Sequence, residues 1–477
     1  MGTIDIAIFI VYIIVVLGIG FYFHYKNKDA KDYYTGGNKM GSWHIGLSVV
    51  ATDVGGGFSI GLGGLGFLMG ISGSWMLFTG LLGAWLSAVF LIPKVISEGH
   101  LFNLLTFPEL LKRKYGARVA LLAGIISFIG YLGFTSSQLL AGAKLAVGTF
   151  PELSVNKAVL IMGVIAVVYT VFGGIKAVVY TDTFQWAILM LGLILIGIPI
   201  SYVELGGYEA IVKVLPDGFL SLTSVSWVQL INWAVTIIPI WFIGMTLYQR
   251  IYACKDEKTA KKAWFTAGLF EYPVMAFMGV LLGLFARVGA EQGMFLADGF
   301  ASVTAMDPEI GLPLLLKNIL PAGLMGLMLA AYFSAIMSTA DSCLLASSGN
   351  FITDILGLNS QNNKNIRHSQ LATLIIGAVA VLLATLMKNV LELMLMSYAF
   401  MVSGLFVPVI GMLYVRKPSG KAALWSMIVG GASTLLLTFL KIDIPFGFDP
   451  ILPGILLSAF IFYLISKQSR DHGIFTA

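Results

Sequence analysis

The stretch LMGLMLAAYFSAIMSTADSCLLASSGNFITDI, Leu324 to Ile355, decides how the rest of the chain is read. It begins as an apolar helix with small residues at Ala330, Ala331, Ser334 and Ala335. It then sets Ser338, Thr339, Asp341, Ser342, Ser347 and Ser348 where a membrane helix ordinarily carries leucine. A carboxylate at that depth costs several kcal/mol unless something meets it. Small faces permit close helix contact, and hydroxyls with a carboxylate are hard ligands suited to a bare monovalent cation. The stretch is either a cation site inside a membrane bundle or an interhelical hydroxyl seam around a satisfied Asp341.

Composition settles the class. Hydrophobic residues are 58%, charged residues 11%, and mean hydropathy is +0.90 over 477 residues, a balance no ordinary soluble domain shows. Cys254 and Cys343 make no disulfide framework or ligand cluster, and the histidines are scattered. The small positive charge is dispersed over short loops, which argues against nucleic acid as a partner. The first apolar run lacks a small-residue cleavage site and reads as a retained span.

Runs long enough to cross a bilayer give thirteen spans, at about 4–24, 43–67, 73–95, 120–148, 156–173, 180–201, 228–249, 263–286, 314–348, 369–387, 392–415, 422–440 and 449–465. Basic residues check the count. With the N-terminus outside, Lys26, Lys28, Lys31, Lys39, Lys112 to Lys114, Lys176, Lys261, Lys262, Arg416 and Lys467 fall in cytoplasmic loops. The opposite loops carry few basic residues, Lys157, Lys213, Lys388 and Lys441 with Arg287 and Lys317 near span ends, and several acids, Glu204, Glu209, Asp217, Glu291, Asp298, Asp307 and Glu309. This alternation follows the positive-inside rule and puts the C-terminus in the cytoplasm. The outside connections near 202–227 and 287–313 have room for short helices or lids, and no loop is long enough for a catalytic domain.

Two spans carry interruptions. Within SWHIGLSVVATDVGGGFSIGLGGLGF, Thr52 and Asp53 precede Gly55, Gly56 and Gly57. A glycine triplet weakens a helix by roughly 1 kcal/mol per residue, yet inside protein it lets the backbone unwind and offer its polar groups to a ligand. Span seven, VQLINWAVTIIPIWFIGMTLYQR, carries Pro239 near its middle, flanked by Trp233, Trp241 and Phe242. Proline frees a carbonyl. Each interruption opens a group of five spans, so the expected architecture is an all-α polytopic membrane protein with a core of two inverted five-helix repeats, the first helix of each discontinuous. The expected divisions are a peripheral first helix and loop in 1–42, a first repeat in 43–201, a connection in 202–227, a second repeat in 228–415, and two peripheral helices with a short tail in 416–477. In VFGGIKAVVYTDTFQWAILM, Asp182 opens span six, as an acid favoured by the helix dipole or as part of a cation relay.

These motifs together resemble the sodium/solute symporter family of sodium–glucose, sodium–proline, pantothenate, sialic acid and choline transporters. The resemblance rests on DYYTGGNKMGSW (32–43), ATDVGGG (51–57), FGGIKAVVYTDTFQ (172–185), YQRIYACKD (248–256) and AAYFSAIMSTADSCLLASSGNFITDI (330–355), and so covers most of the chain. ATDVGGG and SAIMSTADS lean toward the choline branch. The resemblance implies alternating access and sodium-coupled uptake of a small organic solute. It implies a main sodium site at backbone carbonyls of Ala51, Val54 and Ala335 with the hydroxyls of Ser338 and Thr339. It further implies a candidate second cation site at Asp182, Ser338, Asp341 and Ser342, with Asp53 supporting coupling. Position 341 is an aspartate where the sialic acid carrier has serine.

Adjacent residues on one helix turn cannot all face one point, so two neighbouring sites, or one site and a seam, are expected. Solute-binding candidates are Gly55, Gly56, Gly57, Trp75, Gln138, Trp241 and Phe242, with Trp75 and Trp241 as part of a cation–π cage. A small polar or zwitterionic solute is preferred over a sugar. The remaining readings are a proton-coupled symporter using Asp53, Asp182 or Asp341, and more remotely a channel or sensor. No paired catalytic constellation suggests an enzyme, and no obligatory protein partner is expected. The expected setting is a plasma membrane, specifically a prokaryotic inner membrane.

Overall fold

The structure, a computed structural model, describes residues 2–26, 40–53, 55–150, 152–358 and 364–471. Among these it is helical throughout, apart from one isolated parallel bridge between Met40 and Cys254. The first helix is α1 (Thr3–Lys26), followed by α2 (Ser42–Asp53) and α3 (Gly56–Met69), whose N-cap is Gly55, the first glycine of the triplet. A 3₁₀ turn then leads to α4 (Trp75–Phe90), α5 (Ile92–Leu101), the short α6 (Phe107–Tyr115) and the long α7 (Ala117–Thr149). Gly73 packs against Leu65, eight residues earlier, which a straight helix would hold about 12 Å away. The chain therefore doubles back near Gly70, whose φ of 67° a side chain would resist.

Next comes α8 (Val155–Gly192), a helical run of 38 residues that continues through a π turn into α9 (Ile198–Glu204). It is not one rod. Tyr169 Oη lies 3.0 Å from Thr181 Oγ1, and twelve residues of straight helix would separate their backbones by about 18 Å. The run therefore bends between them, near the boundary expected between the spans at 156–173 and 180–201. The short α10 (Gly207–Val214) occupies the connection expected at 202–227.

The second half contains α11 (Trp227–Ile243), α12 (Met245–Ala253), α13 (Glu257–Leu269), α14 (Ala276–Glu291) and α15 (Pro308–Ile319). Then follow α16 (Leu324–Gly349), α17 (Lys364–Leu386), α18 (Val390–Tyr414), α19 (Gly420–Phe439) and α20 (Ile451–Asp471). Among the described residues, ten helices are long and apolar enough to cross a membrane, or eleven when α11 and α12, bent by 42°, count as one. The chain is a multi-pass membrane protein. Thirteen is not reached on this criterion because breaks shorten the segments: α2 has 12 residues, and the short apolar stretch of α1 runs Thr3–Ile19.

The bend in span seven is also displaced from its expected place. Pro239 sits inside α11, while the chain breaks at Gly244, with φ −64° and ψ 115°. The Tyr131 hydroxyl explains why the break is tolerated. It accepts from Thr246 N at 3.3 Å and lies 3.1 Å from Thr246 Oγ1, satisfying a donor freed at the start of α12.

α16 is the centre. Every residue of α16 except Leu324 and Leu327 is buried, whereas few residues of α20 are. It packs on α1, α7, α8 and α17 and meets the facing ends of α2 and α3. Asp5 of α1 fixes its start by accepting from Gly323 N at 2.7 Å and Gly326 N at 2.8 Å. At another corner, Lys144 of α7 reaches Glu309 and Asp307 at 2.5 and 2.7 Å, while Glu309 also accepts from Val390 N and Leu391 N of α18 at 3.0 Å each. Lys144 is buried, so removing it strands Glu309. Lys144→Met is expected to cost about 3 kcal/mol, read as a lowered Tm of the detergent-purified protein, with Asp307→Asn costing less because Asp307 is half exposed.

Candidate functional site

The glycine triplet brings the end of α2 and the start of α3 against the middle of α16. Thr339 Oγ1 donates to Ala51 O at 3.1 Å and lies 3.4 Å from Ala335 O. Three oxygens of the expected sodium set therefore converge. Ser338 Oγ, one residue away, is buried without a hydrogen-bond partner. Val54 lies outside the described residues. Neutral carbonyls and hydroxyls are a donor set that fits a small hard cation without excess charge. Glycine at the break is a steric requirement: a Cβ on Gly55 would fall 1.6 Å from Thr339 Oγ1, and one on Gly56 would fall 2.3 Å from Ile336 Cγ1.

On the other side of this junction lies a fully buried charged knot. Arg250 of α12 donates from Nη2 to Thr52 Oγ1 at 2.5 Å and Ser342 Oγ at 2.9 Å, from Nε to Ser48 Oγ at 3.1 Å, and from Nη1 to Thr246 O at 3.2 Å. Its guanidinium is 3.5 Å from Asp182, and Ser48 donates to the same carboxylate at 2.5 Å. One arginine thus ties α12, α2, α16 and α8 together.

Asp341 faces elsewhere, accepting from Thr170 Oγ1 at 2.5 Å. Of the four residues of the expected second cation site, Ser342 and Asp182 engage Arg250, Asp341 engages Thr170 of α8, and the Ser338 hydroxyl lies beside the Asp182 carboxyl. The Arg250 guanidinium already supplies positive charge beside Asp182. Near Asp341, Gln185 donates to Tyr12 Oη at 2.9 Å, so the peripheral α1 reaches into the polar interior.

The expected solute-binding residues do not form one cluster. Trp75 donates to Leu222 O at 2.8 Å and stacks on Tyr272 with centroids 6.4 Å apart. Trp241 is buried against Gly83 and Trp264. Gly83 is eight residues, about 12 Å, along α4 from Trp75. Trp75 and Trp241 therefore do not form a shared cage, because α4 separates them by two turns. Phe242 packs edge-on to Phe406 at 6.0 Å. Gln138 is buried on α7, with Nε2 3.3 Å from Ser137 Oγ. Gly55 and Gly56 line the break, where Gly57 continues α3.

Asp53 meets a group that hydroxyl clusters and glycine breaks do not reveal. Glu271, in the π turn Phe270–Met275 between α13 and α14, has its carboxyl beside that of Asp53. Its signal in the sequence is isolation, as the single carboxylate inside the expected span 263–286.

Residues 33–430 match the model of the sodium:solute symporter family. The chain belongs to that family. Among its relatives, the sodium/myo-inositol cotransporter 2 of Oryctolagus cuniculus is 28% identical, over 93% of this chain and 70% of its own. The osmoregulated proline transporter of Bacillus subtilis is 28% identical over 96% and 94%. The sodium/pantothenate symporter of Escherichia coli is 27% identical over 95% and 94%. The fold matches a substrate-bound, outward-open sodium-coupled sialic acid symporter with TM-score 0.81 at 20% identity, covering 98% of each chain. These relatives are transporters, not enzymes, and the symporter described here shares their membrane-embedded helical architecture.

Two substitutions test the geometry. Gly55→Ala is expected to lower the Tm of the purified protein and to abolish its sodium-dependent rise, because the added methyl displaces Thr339 and pushes the α2–α3 break away from α16. Arg250→Met is expected to cost about 3–5 kcal/mol by stranding Asp182. Adding Asp182→Asn should restore part of that loss in a double-mutant cycle measured by thermal unfolding.

Proposed function

We propose that this protein is a sodium-coupled symporter that imports a small polar or zwitterionic organic solute by alternating access. The convergence of Thr339 Oγ1 with Ala51 O and Ala335 O at the helix break carries the reading. Sodium held there, with Ser338 and Val54 completing its shell, would tie α16 to the α2–α3 break. The solute would bind beside Gly55, Gly56 and Gly57, with Trp241, Phe242 and Gln138 as further candidates. Sodium stabilises the conformation that binds solute, and the two ligands favour each other's binding reciprocally. Each sodium moving inward also gains about 2.3 kcal/mol per 100 mV of inside-negative potential.

The same reading includes thirteen spans in two inverted five-helix repeats at 43–201 and 228–415, with an outside N-terminus and a cytoplasmic C-terminus. Bacterial proline and pantothenate relatives support a prokaryotic inner membrane. Arg250 donates to Ser342 and stands beside Asp182, so a second cation at Asp182, Ser338, Asp341 and Ser342 would compete with the guanidinium for two of its four ligands. Arg250 would then hold α2, α8, α12 and α16 together until the path on its side opens.

In proteoliposomes, an inward sodium gradient is expected to drive solute uptake that a potassium gradient at the same pH and potential does not. Ser338→Ala and Thr339→Ala should each raise the sodium concentration for half-maximal uptake by roughly tenfold, the scale of one lost ligand. Unchanged sodium dependence in both variants would remove these hydroxyls from the site.

A further inference from the structure

Glu271 is fully buried, and its carboxylate oxygens receive no hydrogen bond from an amide, hydroxyl or cationic group; their polar neighbour is the Asp53 carboxyl. Its carboxyl lies beside Asp53, itself buried with Oδ2 unpartnered. The titratable groups that sense this pair from surrounding helices are Tyr131 of α7 and Tyr398 of α18, and Cys343 of α16. None is a cation. Arg250 is engaged by Asp182, and no lysine or arginine forms an ion pair with Glu271 among the described residues. Two buried carboxyls side by side are satisfied either by one proton shared between them or by a positive charge that joins them.

Two further features point to the source of that charge. Glu271 lies against α4 at Gly80, where a Cβ would fall 2.5 Å from Oε2, and the Trp241 ring lies against Gly83, about one turn along. An acid and an indole therefore face the same glycine-lined surface of α4, and the indole Nε1 is buried without a partner. A cavity of about 580 Å³ lies along α3, with Gly61 in its wall, roughly 9 Å of helix from Gly55. Glu392 and Asp449 line it together with Asp307 and Glu309, which share the single charge of Lys144 behind the wall, so acids outnumber bases there. Such a vestibule concentrates cations and repels anions.

We propose that Glu271 is the charge-recognition residue of the solute site, so that the transported solute carries a positively charged nitrogen, which Glu271 pairs and the Trp241 ring flanks. The proposal rests on the symporter reading above and narrows its solute class. Glu271 acts on the solute's cationic end, while sodium remains at the Thr339 junction. An ammonium or quaternary amine satisfies Glu271 at the same step that sodium stabilises the broken helix. A neutral isostere leaves the carboxylate stranded, and a bare anion adds a third negative group.

The test is sodium-dependent binding and uptake by the full-length protein in proteoliposomes, using choline against its neutral isostere 3,3-dimethyl-1-butanol. Proline, myo-inositol and lactate serve as zwitterionic, neutral and anionic comparisons. The cationic probe is expected to be favoured over its isostere by roughly tenfold or more, the scale of a charge-assisted contact. Glu271→Gln should collapse that ratio toward one while the sodium-dependent Tm shift persists, and Glu271→Asp should retain most of the ratio. Wild-type preference for the isostere, the sugar or the anion would overturn the proposal, as would an unchanged ratio in Glu271→Gln. If Glu271→Gln does not fold, the wild-type ratio and Glu271→Asp decide. Sodium-dependent uptake of myo-inositol alone would overturn the amine inference and leave sodium symport standing. Transport of any probe without sodium dependence would overturn the symporter reading itself.

Discussion

The contact between the Thr339 hydroxyl and the glycine at the α2–α3 break is the constraint on which the rest of the structure depends. A side chain at Gly55 would occupy the space of Thr339 Oγ1, so the two helices approach only because that position is bare. Close approach puts Ala51 O within reach of α16. It also exposes backbone that lipid could not satisfy, and burial inside the bundle resolves that cost. The enclosure of α16 by α1, α7, α8 and α17 follows.

Around that junction the protein distributes positive charge unevenly. Arg250 neutralises Asp182 and engages Ser48, Thr52 and Ser342. Lys144 neutralises Glu309 and Asp307 at another corner. Asp53 and Glu271, between helices of both halves, receive neither. In a low-dielectric interior such an imbalance is expensive. A transporter has a use for it, because a site satisfied only by its cargo binds that cargo selectively.

Much of this was legible before any coordinates. Apolar run lengths gave the membrane class, and the glycine triplet located the break in span two. The hydroxyl run in Leu324–Ile355 identified the central helix. The bend in span seven was harder: Pro239 is the stronger local signal, yet Gly244 bends because Tyr131, far away in sequence, satisfies Thr246 N. The proposed Trp75–Trp241 cage failed for a related reason. Aromatic identity is visible in the sequence, but the two-turn offset along α4 is not.

The sequence by itself determined what is local. Apolar length, glycine weakness, proline chemistry and the presence of intramembrane carboxylates are properties of residues and their near neighbours, and they require a buried polar bundle. Only the tertiary structure decided which acid meets which partner. Asp182, Asp341, Asp53 and Glu271 are equivalent as letters in apolar spans. Folding gives the first an arginine, the second a threonine, and the last two each other. That pairing depends on side chains brought together from helices 68 to 218 residues apart, a relation that spacing along the chain does not encode.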